Sequence, residues 1–314
     1  VRIRFGGASQ ESVPKFPPTL AATELFSSIA PLTPRESFVS FQINAAPWQP
    51  GIIGKRWLSL PAGGKITVNA DGEFEFPTGA TIIQHYSLAE GDAPFETQVL
   101  WLTGARTTRA AAYRWSSDAK DAKLVEDGAI ITLPGKPERH WLSPGAERNL
   151  NLDLVVVGFL LPVNLRQINR DDQIQKWSAR GWLSGALDFK APAALPKLAA
   201  LDDVTASPEL RVRSYLDVNC AACHHPGGPS RGNFDARFIT PLAKQNVVDG
   251  LPAAGDLGLP GARVILPGHP EKSLMLQRLT RNDFFRMPPI SVNNEPQPIL
   301  PVLEEWIRML KEHP

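Results

Sequence analysis

The sequence predicts an α+β chain in two parts, an antiparallel β-sandwich or barrel-like domain followed by an all-α domain. Three observations predict this. A length of 314 residues favours two domains. Across residues 38–134 the chain runs in short β-like stretches separated by turn residues. Beyond about residue 205 the apolar spacing becomes helical.

Residues 1–18, flanked by Gly, Ser and Pro, read as an extended arm. Residues 19–182 form the β-rich part, a docking domain. A run at 55–60 meets the turn Pro61-Ala62-Gly63-Gly64 and continues at 65–68. Asn69-Ala70-Asp71-Gly72 is a hairpin signal ahead of the alternating Glu73-Phe74-Glu75-Phe76. Further runs follow at 81–88, 97–102, 110–115 and 129–133. Trp48, Trp57, Phe74, Phe76, Trp101 and Trp115 recur through these runs as core, with docking or ligand stacking as the rival role. The apolar run 154–163, interrupted by Gly158 and Pro162, reads as a buried strand pair. Residues 183–204 are rich in Ala, Pro and Leu without clear periodicity and read as a linker.

Residues 205–314 form the second domain. A helix at 208–217 carries the apolar Leu210, Val212, Tyr215 and Leu216. A helix at 298–311 places Ile299, Leu303, Trp306 and Leu310 on one face and Glu304, Glu305, Arg308 and Lys311 on the other. Its prolines fall in the first turn, where a missing N–H is harmless.

Composition excludes several classes. A formal charge of +1 gives no field to attract nucleic acid. No apolar run approaches the ~20 residues of a transmembrane helix. The β-rich part shows no metal cluster, nucleophile elbow or phosphate-binding loop, and Pro226-Gly227-Gly228-Pro229 reads as a turn.

The chemistry is carried by Cys220-Ala221-Ala222-Cys223-His224, which holds the only two cysteines of the chain. C-x-x-C-H is the pattern of c-type haem attachment. Each thiol adds to one vinyl group of the same haem, and the short loop then sets His224 under the iron as proximal ligand. A redox dithiol leaves the histidine unexplained. Zinc needs four ligands, and even with His225 no second cysteine pair supplies them. A disulfide would close only a very small loop.

The sixth ligand is sought among Met275, Met287 and Met309. Met275 and Met309 lie in helical apolar runs and read as core. Met287, in Arg286-Met287-Pro288-Pro289, sits on a loop stiffened by proline and is the expected iron ligand, with His269 as runner-up. His225 is expected at the haem rim or in solvent. The long spacing between His224 and Met287 is taken up by the Gly/Pro-rich loop 249–261. Arg237, Arg278 and Arg286 are the candidate partners of the haem propionates.

A helix before the haem motif, a methionine loop after it and a closing helix with a central Trp resemble a class I cytochrome c domain over about 205–314. That resemblance implies crossing of the two helices, with Tyr215 near Trp306. It also implies that a backbone carbonyl near Pro226 or Pro229 holds the other nitrogen of His224. A second resemblance spans most of the chain. Ala45-Ala46-Pro47-Trp48, Lys55-Arg56-Trp57, Leu60-Pro61-Ala62-Gly63, Glu75-Phe76-Pro77-Thr78-Gly79 and Tyr113-Arg114-Trp115 occur in order. So do Tyr215-Leu216-Asp217-Val218-Asn219-Cys220, Asp235-Ala236-Arg237-Phe238, Pro267-Gly268-His269-Pro270-Glu271-Lys272-Ser273 and Arg286-Met287-Pro288-Pro289. Together they resemble a family of bacterial exported haem proteins of poorly defined function with a β-rich N-terminal half. Members of that family commonly carry a second C-x-x-C-H ahead of a segment like 164–169. This chain keeps the segment without the cysteines, so one haem c per chain is expected. Some relatives are encoded with or fused to sugar-dehydrogenase-like modules, which implies a dehydrogenase as electron donor.

The expected function is single-electron transfer through a His/Met-ligated haem, as a carrier rather than a catalyst, in contact with a redox partner or larger complex. The alternatives are a haem enzyme with an open iron site, peroxidase-like, and an electron-acceptor module of a sugar dehydrogenase whose β domain binds carbohydrate. The sequence begins at Val1 without a charged and apolar leader. Haem is attached to this motif outside the bacterial inner membrane. An exported chain is expected, periplasmic or extracellular, with its signal peptide removed.

Overall fold

The computed structural model describes residues 15–47, 52–88, 93–104, 107–133, 139–151, 163–289 and 297–311. The N-terminal part begins with short strands β1 (Phe26–Ser28), β2 (Thr33–Pro34) and β3 (Val39–Phe41). Longer strands follow: β4 (Ile53–Ser59), β5 (Ile66–Val68), β6 (Phe74–Glu75), β7 (Thr81–Ser87), β8 (Pro94–Leu102) and β9 (Thr107–Trp115). Then come β10 (Ala122–Leu124), β11 (Ala129–Leu133), β12 (Arg139–Ser143), β13 (Glu147–Asn151), the helices α1 (Leu165–Ile168) and α2 (Gln173–Ala179), and β14 (Leu183–Gly185). The C-terminal part contributes α3 (Pro208–Asn219), α4 (Leu274–Thr280) and α5 (Leu300–Met309).

One antiparallel sheet dominates, in the order β10-β9-β8-β7-β4-β3, with β13 also paired to β9. Leu58, Ile82, Leu100 and Ala110 lie in register across β4, β7, β8 and β9. The next row, Trp57, Ile83, Val99 and Ala111, faces the other way, because successive side chains of a strand alternate. Each face has its own core. The first row packs with Phe41, Ile66, Val68 and Trp177 beneath the small sheet β14-β5-β6 and the helices α1 and α2. The second row packs under Phe16, Leu20 and Phe26 from the N-terminal segment. Burial on both faces is why β7 and β8 lack a clean apolar–polar alternation.

The predicted sandwich or barrel is therefore corrected to one open sheet sandwiched between unlike covers. The predicted all-α C-terminal domain, and with it the class I cytochrome c fold, is corrected as well. Between Asn219 and Leu274 the chain forms 3₁₀ turns and isolated parallel bridges, Val248 with Ile265 and Arg263 with Ser273, and no α-helix. The physical reason is composition: Pro226, Pro229, Pro252, Pro260 and Pro267, with glycines between them, break helices throughout that stretch. Among the described residues the strands end at β14, and there are five α-helices.

Other expectations are resolved locally. Of the arm, residues 1–14 lie outside the described residues. Phe16 is buried, and the Pro17 and Pro18 carbonyls accept bonds from Tyr113 Oη and Leu124 N, so its end docks on the sheet. The stretch 183–204 carries β14 and the buried Phe189, Leu198 and Ala199. Trp57 and Trp101 pack against the second core, and Trp115 is buried in it. Phe76 is buried in the first core with Phe74 against it, while Trp48 and most of 154–163 lie outside the described residues.

The two parts meet through a small cluster of Ala45, Leu198 and Val218 with Phe238, and through an Ala199 N–H bond to Ser214 Oγ of 3.0 Å. A charged contact joins them too. Arg166 of α1, 2 % exposed, donates to the Asp71 carbonyl and the Glu73 carboxylate and lies 3.9 Å from Asp217 of α3.

Candidate functional site

The site is built from the C-terminal end of α3. Ser207 starts that helix, its hydroxyl accepting from Leu210 N at 3.2 Å, with Pro208 in the first turn. Val212, Tyr215 and Leu216 face a core shared with α4 and α5, in which Leu303, Trp306 and Ile307 are buried. Tyr215 and Trp306 lie in this one cluster.

At Cys220 the helix gives way to a tight turn. The Cys220 carbonyl accepts from Cys223 N at 3.0 Å and from His224 N at 2.8 Å. Both thiols are free and half-buried. Burial pushes the Cys220 thiol up to about 12, with Cys223 adding to it, and burial raises Cys223 as well. Thiols raised in this way are poor nucleophiles, which argues against a reactive dithiol. Among the described residues no three His, Cys, Asp or Glu side chains gather as a metal cluster.

His224 is held on three sides. Its ring stacks on Phe234 at 4.1 Å between centroids and 17° between planes. Ser230 Oγ faces the edge of the ring, 3.1 Å from Nδ1 and 3.3 Å from Nε2. A Cβ at Gly232 would stand 2.9 Å from Cε1, so only glycine lets the chain close over the imidazole. Burial, helped by the charge of Arg278, lowers the His224 pKa to about 4. The ring is neutral and keeps a lone pair for a metal. The expected partner near Pro226 or Pro229 is replaced by Ser230; the Pro226 carbonyl instead meets His225 Nδ1 at 2.9 Å.

Met287 is fastened at both of its backbone polar groups. Its N–H donates to the Arg278 carbonyl at 3.0 Å, and its carbonyl accepts from Gln297 Nε2 at 2.6 Å. Gln297, 3 % exposed, also accepts from Tyr215 Oη at 3.1 Å, which ties the methionine segment to α3. The Met287–Pro288 peptide is cis. Met287 and Cys220 both pack on the α3–α4–α5 core. The Arg278 carbonyl holds Met287, while the charge of its guanidinium bears on His224.

The other candidates fall elsewhere. Met275 is buried in the core, whereas Met309, read as core, is 63 % exposed because it ends α5 on the outer face. His269 Nδ1 lies 2.9 Å from Glu271, and the neighbouring Gly268 bonds to Ile307 at the end of α5. Arg237 is engaged by Asp235 through Nε at 2.9 Å and Nη2 at 2.6 Å. Arg278 Nη2 donates to the carbonyls of Ala254 and Gly255 in the loop 249–261. Arg286 is half-buried and its N–H bonds to the Asp283 carbonyl at 3.0 Å.

Ser230, Gly232, Phe234 and Gln297 were not singled out from the sequence. A glycine eight residues after the motif was a usable signal for close approach; nothing in the sequence around Gln297 marked it. The donor set of two thiols three residues apart, a neutral imidazole and a thioether on the same core is the chemistry that a covalently attached haem requires. No family model, curated protein or solved structure matches the chain. No helix among the described residues is long and apolar enough to cross a membrane.

Proposed function

We propose that the chain binds one haem c through Cys220 and Cys223 and passes single electrons to and from a redox partner, with His224 and Met287 as axial ligands. The observation that carries this reading is that the C-x-x-C-H turn and the methionine segment meet one core: Cys220 and Met287 both pack on it, and Gln297 ties Met287 to Tyr215 of α3. When bound, the haem supplies a one-electron iron couple.

The protein residues do the rest. Ser230 and Phe234 fix the plane of the His224 ring, and the half-buried turn limits water around it. Gln297 and Arg278 hold the Met287 backbone so that the thioether is not free to swing away. Arg278, whose guanidinium donates to the carbonyls of the loop 249–261 and feels the charge of Asp283, adds positive charge that bears on His224, which favours the reduced state. The half-buried Arg286 neighbours Met287 in the chain and suits a propionate. If His224 and Met287 both held the iron, no coordination place would be left open to substrate, and the group would supply electron transfer rather than catalysis. Covalent attachment of this kind belongs to the exported side of the bacterial inner membrane, so we assign the chain to the periplasm or outside, in a larger redox assembly. A dehydrogenase donor fits this place.

The test is the oxidised spectrum. Native protein is expected to show the weak near-infrared charge-transfer band of a methionine-ligated ferric haem, and Met287→Ala to lose it. Persistence of the band in Met287→Ala would show that Met287 is not the ligand.

A further inference from the structure

A second site lies in the β-rich part. A cleft of about 870 Å³ opens between β3, the exposed end of β4 and the start of α2. Val39, Phe41, Ile52 and Trp177 supply apolar wall, and Arg56 reaches into it.

The guanidinium of Arg56 lies over Gly54. A Cβ on residue 54 would stand 3.0 Å from Nη2, so glycine keeps the room that this side chain occupies. Nη1 donates to the Gly54 carbonyl at 3.1 Å, while Nε is shut off from solvent and meets no acceptor. Burial lowers the pKa of Arg56, the sign of a cation short of solvation.

Among the described residues no acid in the wall serves it. Asp171 is taken by Arg170 at 3.2 Å and Asp172 by Lys176 at 2.8 Å. Glu96 shares the sheet face, one row away, since Gly54, Tyr86 and Glu96 are in register beside Arg56, Gln84 and Gln98. Its carboxylate is held by Gln98 and Ser143, and burial shifts it toward the neutral acid. Tyr86, pushed up to about 12 by burial, stays a neutral hydroxyl. Lys55 belongs to the opposite face of β4, in register with His85.

A half-buried guanidinium without a counter-charge among the described residues costs stability, and the structure bears that cost in a concave, part-aromatic cleft. We propose that this cleft binds a small organic carboxylate, the carboxylate on Arg56 and the apolar body against Ile52. A carboxylate accepts from the guanidinium fork and matches one cation. A phosphate dianion would need a second free cation on the same face, and Arg170 and Lys176 are engaged.

Calorimetric titration of the full chain with benzoate tests this, with benzyl alcohol as the uncharged analogue. Benzoate is expected to bind saturably at one site per chain and benzyl alcohol far more weakly. Arg56→Gln is expected to weaken benzoate by about tenfold or more, the loss typical of a charge-assisted bond. Absence of saturable benzoate binding, or equal binding by Arg56→Gln, overturns the proposal. A second measurement needs no ligand: without an internal partner for Arg56, Arg56→Met should melt at the same temperature as the parent or higher. A clear drop, or failure of the variant to fold, would reveal an internal counter-charge and overturn it as well.

Discussion

Replacing Arg166 by Met should loosen the contact that joins the two parts of the chain. The side chain is 2 % exposed and that of Asp217 is 11 % exposed, 3.9 Å away. Arg166 also donates to the Asp71 carbonyl and to Glu73, which is 44 % exposed and can be rehydrated. Asp217 cannot; it would keep the Phe238 N–H, at 2.8 Å, and the charge of Arg213. Breaking a buried pair from one side costs about 3–5 kcal/mol. The cost should depend on pH. Burial already raises the Asp217 pKa and Arg166 opposes that rise, so the variant should raise it further. An acid whose folded pKa is raised binds its proton more tightly folded than unfolded, so stability falls as pH rises above the ordinary carboxylate range. The deficit of Arg166→Met should therefore be largest at neutral pH and shrink on acidification toward that range. Urea unfolding followed by tryptophan fluorescence at neutral and mildly acid pH measures both effects. Adding Asp217→Asn should recover part of the loss. A deficit under about 1 kcal/mol, the value of an exposed pair, or one equal at both pH values, would refute the reasoning.

Two further outcomes are expected. Gln297→Leu removes the bonds to Tyr215 and Met287 and should cost about 2–3 kcal/mol of stability, because a buried hydroxyl and carbonyl lose their partner; the charge-transfer band should weaken in parallel, and an unchanged band and melting curve would contradict this. His85, bonded to Thr97 at 2.8 Å, has its pKa lowered to about 4 by burial. A base lowered from about 6.5 contributes stability that is complete above that value and lost as pH falls toward the folded value. His85→Gln should therefore flatten melting temperature against pH across that window, and an equal slope in both proteins would place the acid sensitivity elsewhere.

Much of the strand pattern was legible because turns announce themselves. Asn69-Ala70-Asp71-Gly72 does sit between β5 and β6, and the runs at 81–88 and 129–133 lie on β7 and β11. The short partners β10 and β14 were not legible, since three residues that find a neighbour far along the chain leave no local period. Both-sided burial of β7 and β8 hid which face was which. α3 and α5 followed from spacing, but the stretch between Cys220 and Leu274 was filled with an expected helical domain although its prolines and glycines argued against one. At the site, the cysteines and His224 stood out because reactive groups at fixed spacing carry their own signal. Ser230 and Gln297 did not, because a hydrogen-bonding side chain that only positions another residue is distinguishable only once the chain is folded. The same holds for Arg56, whose lack of a counter-charge is a property of its surroundings.

The central claim rests on two thioether bonds, and the mass of the denatured chain tests it most directly. The protein should be exported from cells that also load haem onto a second C-x-x-C-H protein, so that failure of the loading machinery is visible. The account predicts the mass of the chain plus one haem, with neither Cys220 nor Cys223 open to alkylation, and loss of stable attachment when both are replaced by Ala. A chain of unmodified mass with two alkylatable thiols, beside a fully loaded companion protein, would contradict it.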